Sequence, residues 1–370
     1  MLHFDVPKFL GSILAAAPRA GDVLIAVGLP PQVQVDGELV RLKLPGLERL
    51  TPFQTEAVVM HLLAEAPPAA AARVRQEGAA HFAYSVPGVS RFRVAVFSQR
   101  GTFAISLRAI PEKVPTLGGL GLPEAMRQAC GERHGVVVVS GPAGSGRTTS
   151  LAAMLAELNG SRSCHVVTVE DPIEFLHRHA RATINQREVG TDTPTLAQGL
   201  ASGLRQGAQV FLAAEPHGAQ EAGLILEAAE TGHLVFTSLR GYDTASSLLR
   251  LLSLFPADER TEVRARLGRV LRWVFTQQLI PHRDARRPVV EVWRSTRATA
   301  AHLVDGQLTS ALLADILRDG EGDGQVWFDR ELERRVRAGE IEVETALASA
   351  VLPRQLEQQI QIQDLKGGRS

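Results

Sequence analysis

The stretch that decides the fold runs from residue 136 to residue 149 and reads VVVVSGPAGSGRTT. Its four consecutive valines predict a strand that is buried on both faces, as in a parallel sheet. The glycines that follow allow the backbone to turn its N–H groups inward around an anion. Residues 151–158 then predict a helix, whose positive N-terminal end would face the same anion.

This arrangement matches the phosphate-binding loop G-x-x-x-x-G-K-[ST] with one departure. Arg147 occupies the lysine position, whereas Thr148 keeps the hydroxyl that binds Mg²⁺. A glycine-rich turn between a strand and a helix can be purely structural, but the spacing and both flanking elements favour a phosphate loop. The predicted nucleotide-binding residues of this loop are Gly141, Gly144, Ser145, Gly146, Arg147, Thr148 and Thr149.

The composition is that of an ordinary globular protein of 370 residues, which is enough chain for two or so domains. Its 40 basic residues balance 40 acidic ones, so the charge gives no support for a nucleic-acid partner. Cys130 and Cys164 lack metal-site spacing and predict free thiols in a reducing cytoplasm. No apolar run approaches about 18 residues, and we therefore expect no transmembrane segment.

Residues 1–110 predict a small α/β domain. Short strand-like segments surround a predicted hairpin turn at residues 36–37, whose sequence is Asp-Gly. Thr51 and Pro52 predict the start of a helix, because threonine caps a helix well and proline suits its first position. The alanine and proline run at residues 66–72 predicts an interruption of this helical structure.

Two further strands of this domain carry arginines. Arg91 and Arg93 alternate with apolar residues along residues 90–97, and Arg108 ends the strand at residues 102–108. Arginines on a strand are usually a solvated face, so the pattern alone leaves their role open.

From residue 122 onward, after a proline- and glycine-rich linker at residues 111–121, strands and helices alternate as in a doubly wound parallel sheet. One buried strand ends in Glu170 and Asp171, and another ends in Glu215. Carboxylates at the C-terminal ends of parallel strands lie where such sheets bind ligands. Glu215 follows its strand as a Walker B acid does, beside the metal and the attacking water.

Together these motifs resemble the type IV pilus retraction ATPase family, within the secretion ATPases, over nearly the whole chain. The segment EDPIEF at residues 170–175 is similar to the acidic box of that family. The segment AETGHLVF at residues 229–236 is similar to the start of its histidine box. Further similar segments are GLPP at 28–31, VPGVSRFRV at 86–94, NQREV at 185–189 and QQLI at 277–280.

The resemblance implies a PAS-like N-terminal domain at residues 1–110 and a RecA-like ATPase core with a parallel sheet at residues 122–290. A helical C-terminal region would follow at residues 291–370, with an end that is expected to fray. The family forms cytoplasmic hexameric rings at the base of the pilus, so the resemblance implies a peripheral position at the inner-membrane platform.

The resemblance also implies site residues. ATP or ADP with Mg²⁺ would lie between the two domains, with arginines of the N-terminal domain reaching toward phosphate. The implied catalytic residues are Glu170, Glu215 and His233, the implied metal ligands are Thr148 and Asp171, and the implied phosphate-directed arginines are Arg91, Arg93 and Arg108.

The departures from the family cluster in its catalytic parts. Arg147 replaces a compact ammonium by a longer, planar and forked guanidinium, which is not a conservative change. Pro-His-Gly follows Glu215 in place of Met-Arg-Asp, and Arg240 replaces the second histidine of the histidine box. Residues 207–209 lack an Asp-Pro-Asp motif, and a retraction motif is degenerate at residues 299–304. Because phosphoryl transfer depends on positioning and charge stabilisation, these losses should compound.

Three hypotheses remain open. The first is an accessory subunit that binds ATP but hydrolyses it weakly or not at all, in a homo-hexamer or a mixed ring with an active paralogue. The second is an active hexameric retraction motor, and the third is an interaction protein that does not bind nucleotide. The assembly and general-secretion branches are disfavoured, because their four-cysteine zinc site cannot be built from two cysteines.

Overall fold

The computed structural model describes residues 5–17, 21–35, 38–110, 113–282, 285–306 and 309–367. The predicted turn at residues 36–37 and the last three residues of the chain lie outside these ranges. The chain divides into two compact units. The first comprises Met1–Lys113, Pro172–Leu176 and Gly190–Asp192, and the second comprises Val114–Asp171, His177–Val189 and Thr193–Ser370.

In the described ranges, the first unit consists of a six-stranded antiparallel sheet and three helices. Its elements in chain order are α1 Val6–Ala16, β1 Asp22–Ala26, β2 Gln32–Val35, β3 Glu38–Arg41, α2 Pro52–Ala64, α3 Pro68–Glu77, β4 Ala79–Val86, β5 Ser90–Gln99 and β6 Thr102–Ile110. The strand order is β3-β2-β1-β6-β5-β4. Phe92, Val94 and Val96 alternate along β5 and are fully buried in the core of this unit, as strand periodicity requires.

The helix predicted at Thr51 and Pro52 forms with a complete capping box. Thr51 Oγ1 accepts a hydrogen bond from Gln54 N at 3.3 Å, and Gln54 Oε1 accepts one from Thr51 N at 2.8 Å. The interruption predicted at residues 66–72 is wrong in extent, because α3 already begins at Pro68. Proline is tolerated at the first helical position, and the four alanines that follow are the strongest helix formers.

The second unit is a seven-stranded sheet covered by helices. Its elements in chain order are α4 Glu124–Cys130, β7 Gly135–Ser140, α5 Arg147–Ser161, β8 His165–Glu170, β9 Thr183–Glu188, α6 Leu196–Arg205, β10 Val210–Ala213, α7 Ala219–Glu230, β11 Leu234–Leu239, α8 Thr244–Ser253, α9 Arg260–Val270, β12 Leu271–His282, β13 Ala285–Arg294, α10 Arg297–Val304, α11 Ser310–Asp319, a 3₁₀ turn Glu321–Asp323, α12 Phe328–Arg337, α13 Val343–Ser349 and α14 Pro353–Gly367.

The strand order of this sheet is β13-β12-β7-β11-β10-β8-β9, and its pairs are parallel except for β12 with β13. Val136 and Val138 of β7 pack into the core on one face, whereas Val137 and Val139 pack into the core on the other. The prediction of a strand buried on both faces is therefore confirmed. The predicted α/β class, with a parallel sheet and a helical C-terminal part, is confirmed as well.

The order of the parallel strands determines where a site can form. The central strand β11 lies between β7 and β10, and all three strands end at the same edge of the sheet. The loop after β7 and the residues after β10 and β11 therefore emerge side by side.

Candidate functional site: a phosphate loop and an arginine-bound glutamate

The loop between β7 and α5 has the backbone of a phosphate-binding turn. Gly141, Gly144 and Gly146 have φ angles of 152°, 76° and 85°, which other residues rarely adopt. A Cβ atom at Gly141 would lie only 2.2 Å from the carbonyl oxygen of Gln277, so the loop also requires glycine there for space. Helix α5 begins directly after Gly146, so its N-terminal N–H groups face the space enclosed by the loop.

The same Gln277, on β12, anchors the loop through its side chain. Its Nε2 donates to Ser145 O at 2.6 Å, and its Oε1 accepts from Ser150 Oγ at 2.8 Å. The residue is only 1% exposed. One buried amide therefore connects the loop to the first turn of α5. The sequence did not predict this role, because it identified Gln277 only as part of the segment QQLI, which is similar to a segment of the family.

A cavity of about 560 Å³ adjoins the loop on the side of α5 and β12. Its volume falls within the range of small-molecule sites, and Gly146 of the loop is one of the residues that line it. The residues that line it include Gly118, Gly119, Leu120, Gly121, Leu122, Thr149, Leu279 and Pro288.

Arg147, the residue in the lysine position, is ion-paired with Glu215. Its Nη1 donates to Glu215 Oε2 at 3.1 Å, and the two side chains are only 15% and 10% exposed. Arg240 follows β11 and donates from Nε to the same oxygen at 3.2 Å. The Nε of Arg250, on α8, lies 3.6 Å from Glu215 Oε1. Three guanidinium groups from separate parts of the chain thus surround one carboxylate.

Two of these four residues carried no predicted role. Arg240 was identified only as a lost histidine, and Arg250 carried no sequence signal at all. Neither pairing is visible in the sequence, because both depend on β10, β11 and α8 meeting at one edge of the sheet.

The predicted acidic residues at the end of β8 have a different environment. Glu170 Oε1 accepts hydrogen bonds from Thr168 Oγ1 at 2.6 Å and from Gln186 Nε2 at 3.0 Å. Asp171 is exposed at the end of the same strand. Thr148 is exposed in the first turn of α5.

His233 lies at the opposite edge of the sheet from the phosphate loop. It directly precedes β11, whose first residue pairs with Gly135 at the start of β7, and the loop follows the other end of that strand. The six residues of β7 span roughly 20 Å. The Nδ1 of His233 contacts Ala228 O at 2.9 Å and Thr231 Oγ1 at 3.1 Å, and its ring packs edge-on against Phe211.

The three predicted arginines of the first unit lie on β5 and β6. Arg108 makes two hydrogen bonds to the carboxylate of Asp22, at 2.6 and 2.7 Å, and this pairing raises the pKa of Arg108. Arg93 is the cross-strand partner of Arg108, and its Nη1 lies 3.5 Å from Glu174 Oε1. Arg91 is half-buried on β5, opposite Ile110.

The described ranges contain neither a membrane-spanning helix nor a cluster of metal ligands. None of their helices combines the length and the apolar character that crossing a membrane requires. In the same ranges, no group of three or more His, Cys, Asp or Glu side chains is arranged to hold a metal ion.

Comparisons with known proteins match most of the chain. The model of the type II/IV secretion system protein family matches residues 32–310. The chain is 35% identical to the type IV pilus retraction ATPase PilT of Pseudomonas aeruginosa, covering 94% of this chain and 99% of that protein. It is 34% identical to the type IV pilus ATPase PilU of the same organism, covering 89% of this chain and 85% of that protein.

A solved structure extends this similarity to the fold. The crystal structure of the pilus retraction motor PilT with bound ADP superposes with a TM-score of 0.84 at 31% identity, covering 94% of this chain and 98% of that chain. The chain therefore belongs to the type II/IV secretion system protein family, as a homologue of the PilT and PilU type IV pilus ATPases.

Proposed function

We propose that this chain is a PilT/PilU-like accessory subunit of the type IV pilus retraction machinery, which binds ATP or ADP and hydrolyses ATP weakly or not at all. The observation that carries the proposal is the ion pair between Arg147 and Glu215 beside an otherwise intact phosphate loop.

Nucleotide binding is supported by the loop itself. Its glycine conformations, the anchoring by Gln277 and the exposed N-terminus of α5 are the features with which a backbone holds phosphate oxygens. The adjoining cavity of about 560 Å³ has room for the remainder of a nucleotide. The homologue PilT has bound ADP in its solved structure.

Weak hydrolysis follows from the hydrogen bonds of Glu215. In an active phosphate-loop enzyme, the lysine contacts the phosphates, and acidic residues orient the metal and the attacking water. Here Oε2 of Glu215 already accepts from both Arg147 and Arg240. The guanidinium of Arg147 is held at this acid, and the acid has one oxygen fewer with which to accept a hydrogen bond from water.

Magnesium fits the residues that remain. Mg²⁺ prefers oxygen ligands and usually combines one or two protein oxygens with water and substrate phosphates. The exposed Thr148 hydroxyl and the exposed Asp171 carboxylate are oxygens of this kind. When bound, Mg²⁺ would neutralise part of the charge on the phosphates.

The assembly that we propose is based on the resemblance to the pilus ATPases. We place the chain in a cytoplasmic hexameric ring, either alone or mixed with an active paralogue, at the inner-membrane platform of the pilus. Residues 1–110 would act as the PAS-like domain and residues 122–290 as the ATPase core, with Arg91, Arg93 and Arg108 directed toward nucleotide. Among the residues of the core, Glu170 would complete the catalytic set. His233, predicted as catalytic from the resemblance, is left out of this set because it lies at the opposite edge of the sheet from the phosphate loop.

The test is nucleotide binding and steady-state ATP turnover by the purified full chain with Mg²⁺. It is run beside Arg147→Lys and Glu215→Gln, with Arg269→Lys as a matched control on an exposed arginine that pairs with Glu230 at 3.4 Å. We expect binding by the unmodified chain and turnover no higher than that of Glu215→Gln. Arg147→Lys should restore little activity, because the other departures from the family pattern, Pro-His-Gly after Glu215 and Arg240 in the histidine box, remain.

Two results would contradict the proposal. Turnover by the unmodified chain that Glu215→Gln abolishes would identify an active motor with an unusual phosphate loop. Failure to bind either ATP or ADP would favour the third hypothesis, in which the chain is an interaction protein that does not bind nucleotide.

A further inference from the structure

The arginine cluster at Glu215 holds more positive charge than its acid can balance. Arg147, Arg240 and Arg250 contribute three positive charges, and Glu215 contributes one negative charge. Each guanidinium carries five N–H donors, whereas a carboxylate has only two oxygens. The cluster therefore has spare donors and a net positive charge, and both favour a second anion.

One oxygen of the acid is also poorly satisfied. Among the residues that the structure describes, Glu215 Oε1 is buried without a hydrogen-bond partner, since Arg250 Nε stays 3.6 Å away. Arg240 and Arg250 are 58% and 47% exposed. Because these two side chains are half exposed, they can turn from Glu215 to another anion while the largely buried Arg147 keeps Glu215 paired.

The cluster lies at the edge of the sheet where the phosphate loop begins. Leu239, directly before Arg240, pairs with Ser140, the last residue before the loop. Ser140 Oγ also contacts Ser247 Oγ on α8, and Arg250 lies one helical turn farther along that helix. Arg147 itself is the first residue of α5. All three cations therefore border the place where the loop would hold phosphate.

We propose that Arg240 and Arg250 form a binding site for the terminal phosphate of a nucleoside triphosphate held in the phosphate loop. Guanidinium groups bind phosphate through paired hydrogen bonds, and the two arginines would leave Glu215 to do so. A diphosphate has no terminal group to fill this site, so the site distinguishes ATP from ADP. The inference rests on the proposed nucleotide binding. The competing explanation is that both arginines only neutralise Glu215.

The experiment compares affinities for ADP and for a non-hydrolysable ATP analogue, by calorimetry on the full chain with Mg²⁺ at one salt concentration. The variants are Arg240→Gln, Arg250→Gln and Glu215→Gln, with Arg269→Gln as the control on an exposed arginine outside the cluster. Thermal unfolding of each variant confirms that it is folded.

Each arginine variant should weaken binding of the ATP analogue about tenfold, the scale of one charge-assisted hydrogen bond, and leave ADP binding nearly unchanged. Glu215→Gln should strengthen binding of the analogue, because it releases both arginines. Equal effects on the two nucleotides, or none, would overturn this inference while nucleotide binding stands. A chain that binds neither nucleotide would overturn the proposed function and this inference with it.

Discussion

Nη1 of Arg147 lies 3.1 Å from Oε2 of Glu215, so the residue that replaces the phosphate-loop lysine is ion-paired with the acid that follows β10. Arg240, which replaces a histidine of the family pattern, donates to the same oxygen at 3.2 Å. Two departures that are far apart in the sequence therefore meet on one carboxylate. Because they share this partner, we expect their effects to be non-additive.

The first prediction concerns stability of the arginine cluster. Glu215→Gln should lower the free energy of unfolding by about 2 kcal/mol. This loss is smaller than the loss expected on breaking a fully buried ion pair, because two of the three arginines are half exposed. The loss arises from repulsion among the remaining cations, so it should be smaller in about 1 M salt than in about 0.1 M salt. Urea unfolding at both salt concentrations measures it.

The matched control is Glu230→Gln. Glu230 also holds two arginines, Arg266 and Arg269, at 2.8 and 3.4 Å, but this pairing lies away from the phosphate loop. Equal losses of unfolding free energy in Glu215→Gln and Glu230→Gln would show that the arginine cluster stabilises the chain no more than an ordinary surface ion pair does.

The second prediction concerns Gln277. Gln277→Leu removes both hydrogen bonds of the buried amide and leaves Ser145 O and the Ser150 hydroxyl without this partner. We expect a loss of about 1–3 kcal/mol in unfolding free energy and a clear loss of ADP affinity, because the loop loses its anchor. Gln278→Leu, at the neighbouring half-buried position, should retain ADP affinity. Unchanged ADP binding by Gln277→Leu would show that the loop holds its shape without the anchor.

Much of the second unit could be predicted because its signals are local. Four valines indicate a doubly buried strand, and glycines at fixed spacing indicate the loop that follows. The partners of the loop could not be predicted, because they come from distant segments. Gln277 contacts a residue 132 positions earlier, and Arg147 pairs with an acid 68 positions later. Only the pairing of β12, β11 and β10 in one sheet creates these contacts.

The first unit illustrates two other limits. The prolines within residues 66–72 suggested a break in helical structure. Proline is tolerated in the first turn of a helix, however, and the alanines that follow favour the helix α3 that the structure shows. The role of Arg108 stayed open because its partner Asp22 lies 86 positions away, on β1 beside β6. Periodicity shows which face of a strand a residue occupies, and it does not show which side chain it meets there.

The third prediction concerns the loop glycines. Gly141→Ala should abolish nucleotide binding and destabilise the chain by more than about 2 kcal/mol, because its Cβ would meet a backbone oxygen of Gln277 at 2.2 Å. Gly160→Ala, near the end of α5 in open space, should stabilise the chain by about 0.5–1 kcal/mol. Chemical unfolding and ADP titration measure both variants. Retained ADP affinity in Gly141→Ala would contradict the observed loop geometry.

The fourth prediction concerns pH. Glu291 on β13 is 2% exposed and accepts hydrogen bonds from the backbone N–H groups of Thr244 and Phe328, the first residues of α8 and α12. Burial raises the pKa of Glu291 from 4.5 to about 7, with a smaller contribution from nearby Asp243. Between these two values the folded chain binds more protons than the unfolded chain. Glu291 therefore lowers stability as the pH rises through this window, and the effect is complete above about pH 7.

Replacing the acid by Glu291→Gln removes this titration while an amide oxygen can still accept from Thr244 N. We expect the variant to gain stability relative to the unmodified chain by on the order of 3 kcal/mol between about pH 5 and about pH 8, in urea unfolding. Glu230→Gln is the control. Arg266 lowers the pKa of Glu230 from 4.5, so the contribution of Glu230 to stability does not change between about pH 5 and about pH 8. A difference between Glu291→Gln and the unmodified chain that does not change with pH would show that Glu291 is charged throughout.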